Sequence, residues 1–236
     1  MSIVTMSRLQ RQKEHTDVEA FLDRVRQTPV PGGSGQPGRL ILAMDATMSR
    51  QHSWDMALAI QADMFAEAGR LGGLAVQLVY FRGFGECRAS KWTTDTASLA
   101  RFMSSVRCAG GHTQILRVLK HLRNEAGSSK INACVYVGDA LEEPIDELAA
   151  VAGEIGLLGV PVFMFHEGKD SAAERGFREI ARLTHGAYFP FDRNSAGTLR
   201  ELLSAVAVYA AGGRPALEAH SASRGGAATL LLGKMT

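Results

Sequence analysis

The sequence predicts a doubly wound α/β domain, a mostly parallel six-stranded sheet with helices on both faces. Three observations support this fold class. Continuous apolar runs such as "LILAM" are typical of strands buried on both sides. These runs alternate with segments whose apolar residues recur at helical spacing, as expected when helices cover a parallel sheet. With 236 residues, of which 46% are hydrophobic, the chain is long enough to bury one sizeable core.

Six strands are predicted from the apolar runs. In order, they cover residues 39–45, 74–83, 87–93, 131–139, 160–168 and 187–191. Most are continuously apolar and should lie inside the sheet. The third run, "CRASKWT", alternates only weakly, which favours a short antiparallel edge strand.

Six helices are predicted between and after the strands. In order, they cover residues 53–69, 95–106, 114–125, 144–156, 171–186 and 195–211. Asp95 and Ser195 are suitable N-cap residues, because their side chains can accept bonds from unpaired amides of a first turn. Pro144 suits a helix start, where its missing N–H is not needed.

The flanking segments differ from this domain in composition. Residues 13–27 carry apolar residues at helical spacing and predict an amphipathic helix, and residues 28–38 hold three prolines and four glycines, as a linker does. We therefore expect an N-terminal helix and linker at 1–38, the main domain at 39–212 and a Gly/Ser/Ala-rich tail at 213–236. We expect the tail to be extended, with residues 230–232 docked on the domain or on a partner.

Composition excludes several classes of function. The 26 basic and 24 acidic residues leave a net charge of +2, too balanced for a dedicated nucleic-acid or membrane-surface protein. The three cysteines have irregular spacing and predict neither a disulfide framework nor a zinc site. No apolar stretch approaches the roughly 18 residues of a membrane span, and no signal peptide is evident. We expect a cytoplasmic protein.

Oxygen-bearing side chains follow two of the buried strands. The first strand runs into Asp45, Thr47 and Ser49 in "DATMS", and the fourth ends at Asp139 in "VGD". Thr113 comes from the loop "AGGHTQ". If the first and fourth strands are neighbours, these groups can converge at the carboxyl edge of the sheet. An all-oxygen set suits a hard divalent cation, with Mg²⁺ expected first and Mn²⁺ or Ca²⁺ also acceptable.

These motifs, in this order, resemble the metal-ion-dependent adhesion site (MIDAS) of von Willebrand factor A (VWA) domains, of the bacterial intracellular type. The family's leading motif is Asp-x-Ser-x-Ser, and Thr47 departs from it while keeping the hydroxyl. The resemblance implies that Thr47, Ser49 and Thr113 offer hydroxyl oxygens to the ion, while Asp45 and Asp139 hold it directly or through water.

The same resemblance implies a function without catalysis. The ion would keep one open position and recruit an Asp or Glu side chain of a protein partner. Bacterial relatives often act as adaptors beside AAA+ ATPases in assembling or remodelling complexes, so such an ATPase is a candidate partner. Related domains can also couple metal binding to a shift of the last helix, here residues 195–211.

Other side chains near these motifs are candidates for the partner-facing rim, although ordinary solvated loops are an alternative. They are Arg50, His52, Trp54, His112, His166 and Glu167. Asp139 and Thr113 could instead be helix caps. Glu142 and Glu143 are expected in the first turn of the following helix, where the helix dipole favours acids.

An enzyme is the main alternative function. Haloacid-dehalogenase-type phosphatases also begin with a strand that ends in Asp and carry a later "GD". In that interpretation Asp45 is the nucleophile, Asp139 a magnesium ligand, and Lys120 or Lys130 the phosphate-binding cation. That family has a second Asp as general acid where this chain has Thr47, which counts against it. A structural protein without a metal is a further alternative.

Overall fold

The computed structural model describes residues 36–69, 71–192 and 196–235. The helix predicted at residues 13–27 and nearly all of the predicted linker lie outside the described residues. Ser195, predicted as a helix cap, also lies outside them.

A single six-stranded sheet forms the centre of the described fold, with the strand order β3-β2-β1-β4-β5-β6. The strands are β1 Gly38–Asp45, β2 Leu74–Arg82, β3 Glu86–Ala89, β4 Ala133–Gly138, β5 Val162–Glu167 and β6 Ala187–Phe191. All neighbouring pairs are parallel except the edge pair of β2 and β3. The predicted fold class is confirmed, including the short antiparallel edge strand.

Helices cover both faces of this sheet. They are α1 Gln51–Gly69, α2 Thr96–Ser105, α3 Ile115–Ser128, α4 Ile145–Leu157, α5 Ser171–Leu183, α6 Ala196–Arg224 and α7 Ala227–Lys234. A 3-10 turn, Met48–Arg50, precedes α1. Asp95 accepts bonds from the amides of Ala97 and Ser98 at the start of α2, as predicted for a capping residue.

Two hydrophobic clusters lie on opposite sides of the sheet, because successive strand residues point to opposite faces. On β1, Leu40 and Leu42 join a cluster with residues of α1, α2, α6 and α7. Ile41 and Ala43 join the other cluster, with residues of α3, α4 and α5. The sheet is thus covered on both faces, as the continuous apolar strands predict.

The C-terminal segment is helical. Helix α6 continues past the predicted end, with a backbone break at Gly213, where φ is 70°, and α7 follows. Leu231 of α7 is fully buried in the core, whereas Leu230 is 58% exposed. The prediction of an extended tail is wrong, because alanine and leucine form helices readily and α7 has an apolar side to bury. Docking of the apolar cluster on the domain is confirmed for Leu231.

None of the helices among the described residues combines the length and the apolar character that a membrane span requires.

The helical C-terminus gives a first prediction. Leu231→Ala should lower the free energy of unfolding by about 2–5 kcal/mol, because it removes a fully buried side chain from the core. Leu230→Ala, the exposed neighbour, is the matched control and should change stability by no more than about 0.5 kcal/mol. Urea denaturation of both variants measures this difference. Equal stabilities would contradict the docking of α7.

Candidate metal centre

A cleft lies beyond the carboxyl ends of β1 and β4. This is where the strand order reverses, with β2 on one side of β1 and β4 on the other. The cleft has a volume of about 250 Å³. Its lining includes all five predicted ligands: Asp45, Thr47, Ser49, Thr113 and Asp139. The structure therefore brings three separated segments together, and their binding of a metal stays a prediction.

The strand register explains why the two carboxylates are close. Met44 of β1 pairs with Val137 of β4, so Asp45 lies beside Gly138, one residue before Asp139. The Asp45 carboxylate accepts the amide of Thr47 at 2.7 Å. This bond turns the chain sharply after the strand and aims the following hydroxyls at the cleft.

Three oxygens of the cleft lie close to one another. The Ser49 hydroxyl donates to Asp139 Oδ2 at 2.9 Å, and Thr47 Oγ1 lies 3.3 Å from Ser49 Oγ. Adjacent oxygens of an octahedral Mg²⁺ site, each at 2.0–2.1 Å from the ion, are about 2.9 Å apart. The Ser49–Asp139 spacing matches this value and the Thr47–Ser49 spacing is 0.4 Å longer, so a small movement of Thr47 would let the three oxygens share a divalent cation.

Thr113 is held by the segment that follows β4. Its hydroxyl donates to Glu143 Oε2 at 2.6 Å and accepts the amide of Glu142 at 3.0 Å. A hydroxyl has one donor hydrogen and two acceptor lone pairs, so one lone pair remains for a cation. The bond to Glu143 also increases the electron density on this oxygen, which favours metal binding.

The described residues contain no cluster of three or more His, Cys, Asp or Glu side chains suited to hold a metal. The predicted set differs from such clusters, because only Asp45 and Asp139 carry charge and the other three ligands are neutral hydroxyls. A cation bound here would depend on hydroxyl oxygens, as the sequence motif indicates.

Glu142 and Glu143 have a role that the sequence analysis missed. Helix α4 begins only at Ile145, so neither residue is in its first turn. Glu142 Oε2 accepts the amide of Thr113 at 2.8 Å, and Glu143 Oε1 accepts the amide of Leu116 at 3.0 Å. The two acids stabilise the start of α3 and fix the Thr113 loop. In the sequence these residues are a pair of acids directly after "GDAL". The helix whose start they stabilise, α3, lies well before them in the chain, so no local pattern links the two.

Neither alternative cap is observed. Asp139 precedes α4 by several residues, and Pro144 is the N-cap of that helix. The N-cap of α3 is Gln114, not Thr113. Both predicted ligands are therefore free of a competing structural role at a helix start.

Arg50, in the turn after β1, is buried beneath the cleft and lies close to acidic residues at the ends of β4 and β5. Its side chain is only 1% exposed, and its Nη2 lies 2.6 Å from Glu167 Oε2 at the end of β5. Nη1 lies 3.8 Å from Asp139 Oδ2. Ser53 also donates to Glu167. The prediction that Arg50 and Glu167 face a partner is wrong, because both side chains are withdrawn from solvent to form this ion pair.

Two more of the predicted rim residues are buried. Trp54 is 1% exposed and donates its indole N–H to the carbonyl of Met103 at 3.1 Å. His166 is also 1% exposed, and its Nδ1 lies 2.9 Å from the Tyr188 hydroxyl. Both belong to the interior, so their predicted partner contact is wrong as well. His52 and His112 are exposed, and their contact with a partner stays a prediction.

The phosphatase alternative receives no support from this geometry. Lys120 lies on α3 and lines a different cleft, with Cys87 and His121. Lys130 is exposed and does not line the candidate site either. Neither candidate phosphate-binding cation is therefore near Asp45.

Asp45 is strongly affected by its burial. The loss of solvation raises the pKa of its carboxyl group from 3.8 to about 6, with the nearby Asp139 contributing in the same direction. Bonds from Thr47 and the charge of Arg50 partly oppose this change. In the absence of a cation, the ionised form of Asp45 is therefore destabilising in the folded state.

A pH dependence of stability follows. The folded protein keeps the Asp45 proton to higher pH than the unfolded chain, so the contribution of Asp45 to stability falls as the pH rises from about 4 to about 6. Relative to Asp45→Asn, wild type in EDTA should lose on the order of 2–3 kcal/mol of unfolding free energy across this window. Urea denaturation of both proteins at several pH values measures it. If the unfolding free energies of the two proteins changed with pH in parallel, the pKa of Asp45 would not be raised in the folded state.

Comparison with known proteins gives a fold but no close relative. No protein-family model matches the chain, and no curated protein matches its sequence. The VWA domain of SpRpn10 matches with a TM-score of 0.54 and 12% identity, over 71% of this chain and 92% of that domain. The vWF domain of the type V pili tip protein Mfa5 from Porphyromonas gingivalis matches with a TM-score of 0.53 and 13% identity, over 72% and 95%.

A third structure is of interest for its metal. Proximal thread matrix protein 1 from the mussel byssus, with a zinc-occupied MIDAS motif, matches with a TM-score of 0.55 and 13% identity. The match covers 73% of this chain and 46% of the mussel protein, so the chain spans about half of that protein's length. At such identities, the likeness shows that the chain has the fold of VWA domains.

Proposed function

We propose that this chain is a VWA-type interaction module whose cleft binds a divalent cation, and that the cation recruits an acidic side chain of a protein partner. The observation that carries the proposal is the convergence of five oxygen-bearing side chains in one cleft at the switch point of the sheet. The fold, shared with the VWA domain of SpRpn10 and the vWF domain of a pili tip protein, supports the same conclusion.

The charges around the cleft explain why a bound cation would attract an acid. Asp45 and Asp139 are the charged members of the proposed ligand set, and the Arg50 guanidinium 3.8 Å from Asp139 reduces what that carboxylate contributes. Glu142 also lines the cleft, but its carboxylate already accepts the amide of Thr113. Five side-chain ligands also leave at least one position of an octahedral ion for another oxygen. A carboxylate from a partner supplies both the missing ligand and the missing negative charge.

Mg²⁺ is the proposed ion, because small hydroxyl and carboxylate sets with open positions suit its octahedral preference. Mn²⁺ and Ca²⁺ are the alternatives. The mussel structure holds zinc in its MIDAS motif, which supports divalent-cation binding in this fold. The ion would supply the electrostatic attraction, while Thr47, Ser49 and Thr113 position it and Asp45 and Asp139 neutralise part of its charge.

The resemblance to bacterial intracellular VWA proteins extends the proposal to a cytoplasmic, non-catalytic adaptor. An AAA+ ATPase is the proposed class of assembly in which it acts. No chemistry at Asp45 is required, because the bound cation and the partner's carboxylate together form the interface. We expect no steady turnover of phosphate esters by the purified protein.

Metal binding should stabilise the fold. With free Mg²⁺ or Mn²⁺ at 100 times its dissociation constant, the free energy of unfolding should exceed that in EDTA by about 2.7 kcal/mol. Ser49→Ala and Asp139→Asn should remain folded but lose this gain, because the first removes a cleft oxygen and the second removes a negative charge beside the ion. Chemical denaturation with and without the ion measures the effect.

The matched control is Asp146→Asn, an exposed acid in the first turn of α4 that does not line the cleft. It should keep the full metal-dependent gain. The same stability in Mg²⁺, Mn²⁺, Ca²⁺ and EDTA for wild type would overturn the metal site, and equal gains in all variants would place the ion elsewhere.

Partner recruitment should depend on the same residues. From an extract of the native host, the immobilised protein should retain a specific partner in Mg²⁺ and release it in EDTA, because the cation forms part of the interface. Asp139→Asn should retain none, while Asp146→Asn should behave like wild type. Quantitative mass spectrometry of the retained proteins measures this. A partner retained equally in EDTA would contradict a metal-mediated contact.

A further inference from the structure

Two large apolar side chains are exposed beside the candidate cleft. Phe84 is 85% exposed and Met48 is 65% exposed, although side chains of this type are usually buried. Met48 lines the cleft itself, between the predicted ligands Thr47 and Ser49. Phe84 belongs to the loop between β2 and β3, which contacts the cleft segment at residues 110–113. Single exposed apolar residues are common, but these two border the same candidate site.

The Phe84 loop is held firmly against the cleft. The amide of His112 donates to the carbonyl of Gly83 at 3.1 Å, and Gln114 Nε2 donates to the same carbonyl at 3.3 Å. The backbones approach so closely that a Cβ on Gly111 would lie 2.3 Å from Gly83. The Phe84 ring stands edge-on to the His112 ring at 5.1 Å. Phe84 is thus displayed by a fixed backbone.

Met48 is also displayed by a fixed backbone. It begins the 3-10 turn Met48–Arg50, in which the amide of Arg50 donates to the carbonyl of Thr47 at 3.0 Å. The buried pair of Arg50 and Glu167 anchors the end of this turn. Thr47 forms a parallel bridge with Ala109, so the turn is also tied to the segment before the Thr113 loop.

We propose that Met48 and Phe84 form an apolar rim that selects protein partners in which the metal-binding Asp or Glu has a large apolar neighbour. This inference rests on the proposed function. A cation alone does not distinguish among the many acidic residues on protein surfaces. The rim adds apolar burial next to the ionic contact, and its fixed backbone lowers the entropy lost on binding.

The arrangement favours a protein segment over a small carboxylate. The cleft of about 250 Å³ is smaller than the roughly 300–1,000 Å³ of typical small-molecule pockets. Phe84 is not part of its lining, so a small ligand inside the cleft would leave the ring in water. A peptide chain that places its acid on the ion can lay a neighbouring side chain on Met48 or Phe84.

Selection from a phage-displayed library of random 12-residue peptides tests the rim. The full-length protein, immobilised in MgCl₂, should enrich peptides with Asp or Glu that carry Leu, Ile, Met or Phe within two positions, by about threefold or more over the starting library. Met48→Ser/Phe84→Ser should still enrich acidic peptides, with apolar neighbours at library frequency. Thermal unfolding should be unchanged, since both side chains are exposed.

Leu157→Ser is the matched control, because Leu157 is 92% exposed at the C-terminal end of α4, away from the cleft. This variant should enrich the same acidic peptides with apolar neighbours as wild type does. If wild type enriched acidic peptides without apolar neighbours, the proposed role of the rim would be wrong, while the metal-dependent function would stand. Identical selection in EDTA, or by Asp139→Asn, would overturn the proposed function, and the inference with it.

Discussion

The parallel pairing of β1 with β4 is the constraint on which the candidate site depends. Met44 pairs with Val137, so the turns after the two strands leave the sheet side by side, and Asp45 and Asp139 follow from that register. A shift by one residue would turn Asp45 to the other face of the sheet. The core enforces the register, because alternate residues of β1 are buried on opposite faces.

Beneath the cleft, a buried ion pair stabilises the ends of the strands and moderates the charge above them. Arg50 and Glu167 lie 2.6 Å apart and are almost completely withdrawn from water. Removing one partner of such a pair costs about 3–5 kcal/mol, because the other charge stays buried. Arg50 also lies close enough to Asp139 to weaken the negative field at the cleft. The same residue therefore supports the fold and leaves a bound cation in need of a further anion.

The sequence predicted the strands and helices of the domain well, because their apolar periodicity reflects burial directly. It also identified the five oxygen-bearing residues that share the cleft. It failed for Arg50, Trp54, His166 and Glu167, since the burial of a polar side chain depends on a distant partner that no local pattern reveals. The C-terminal tail was misjudged for a similar reason. Its glycine and serine content indicated an extended segment, whereas Leu231 gains stability only from the core that it reaches.

Anomalous diffraction from crystals soaked in MnCl₂ shows whether the cleft binds a divalent cation. We expect one manganese peak in the cleft, about 2.0–2.3 Å from the hydroxyl oxygens of Ser49 and Thr113. A partner peptide or a neighbouring acid should complete its coordination. A fully soaked crystal without a peak in the cleft, or with manganese bound only at surface carboxylates elsewhere, would show that these five residues do not form a metal site.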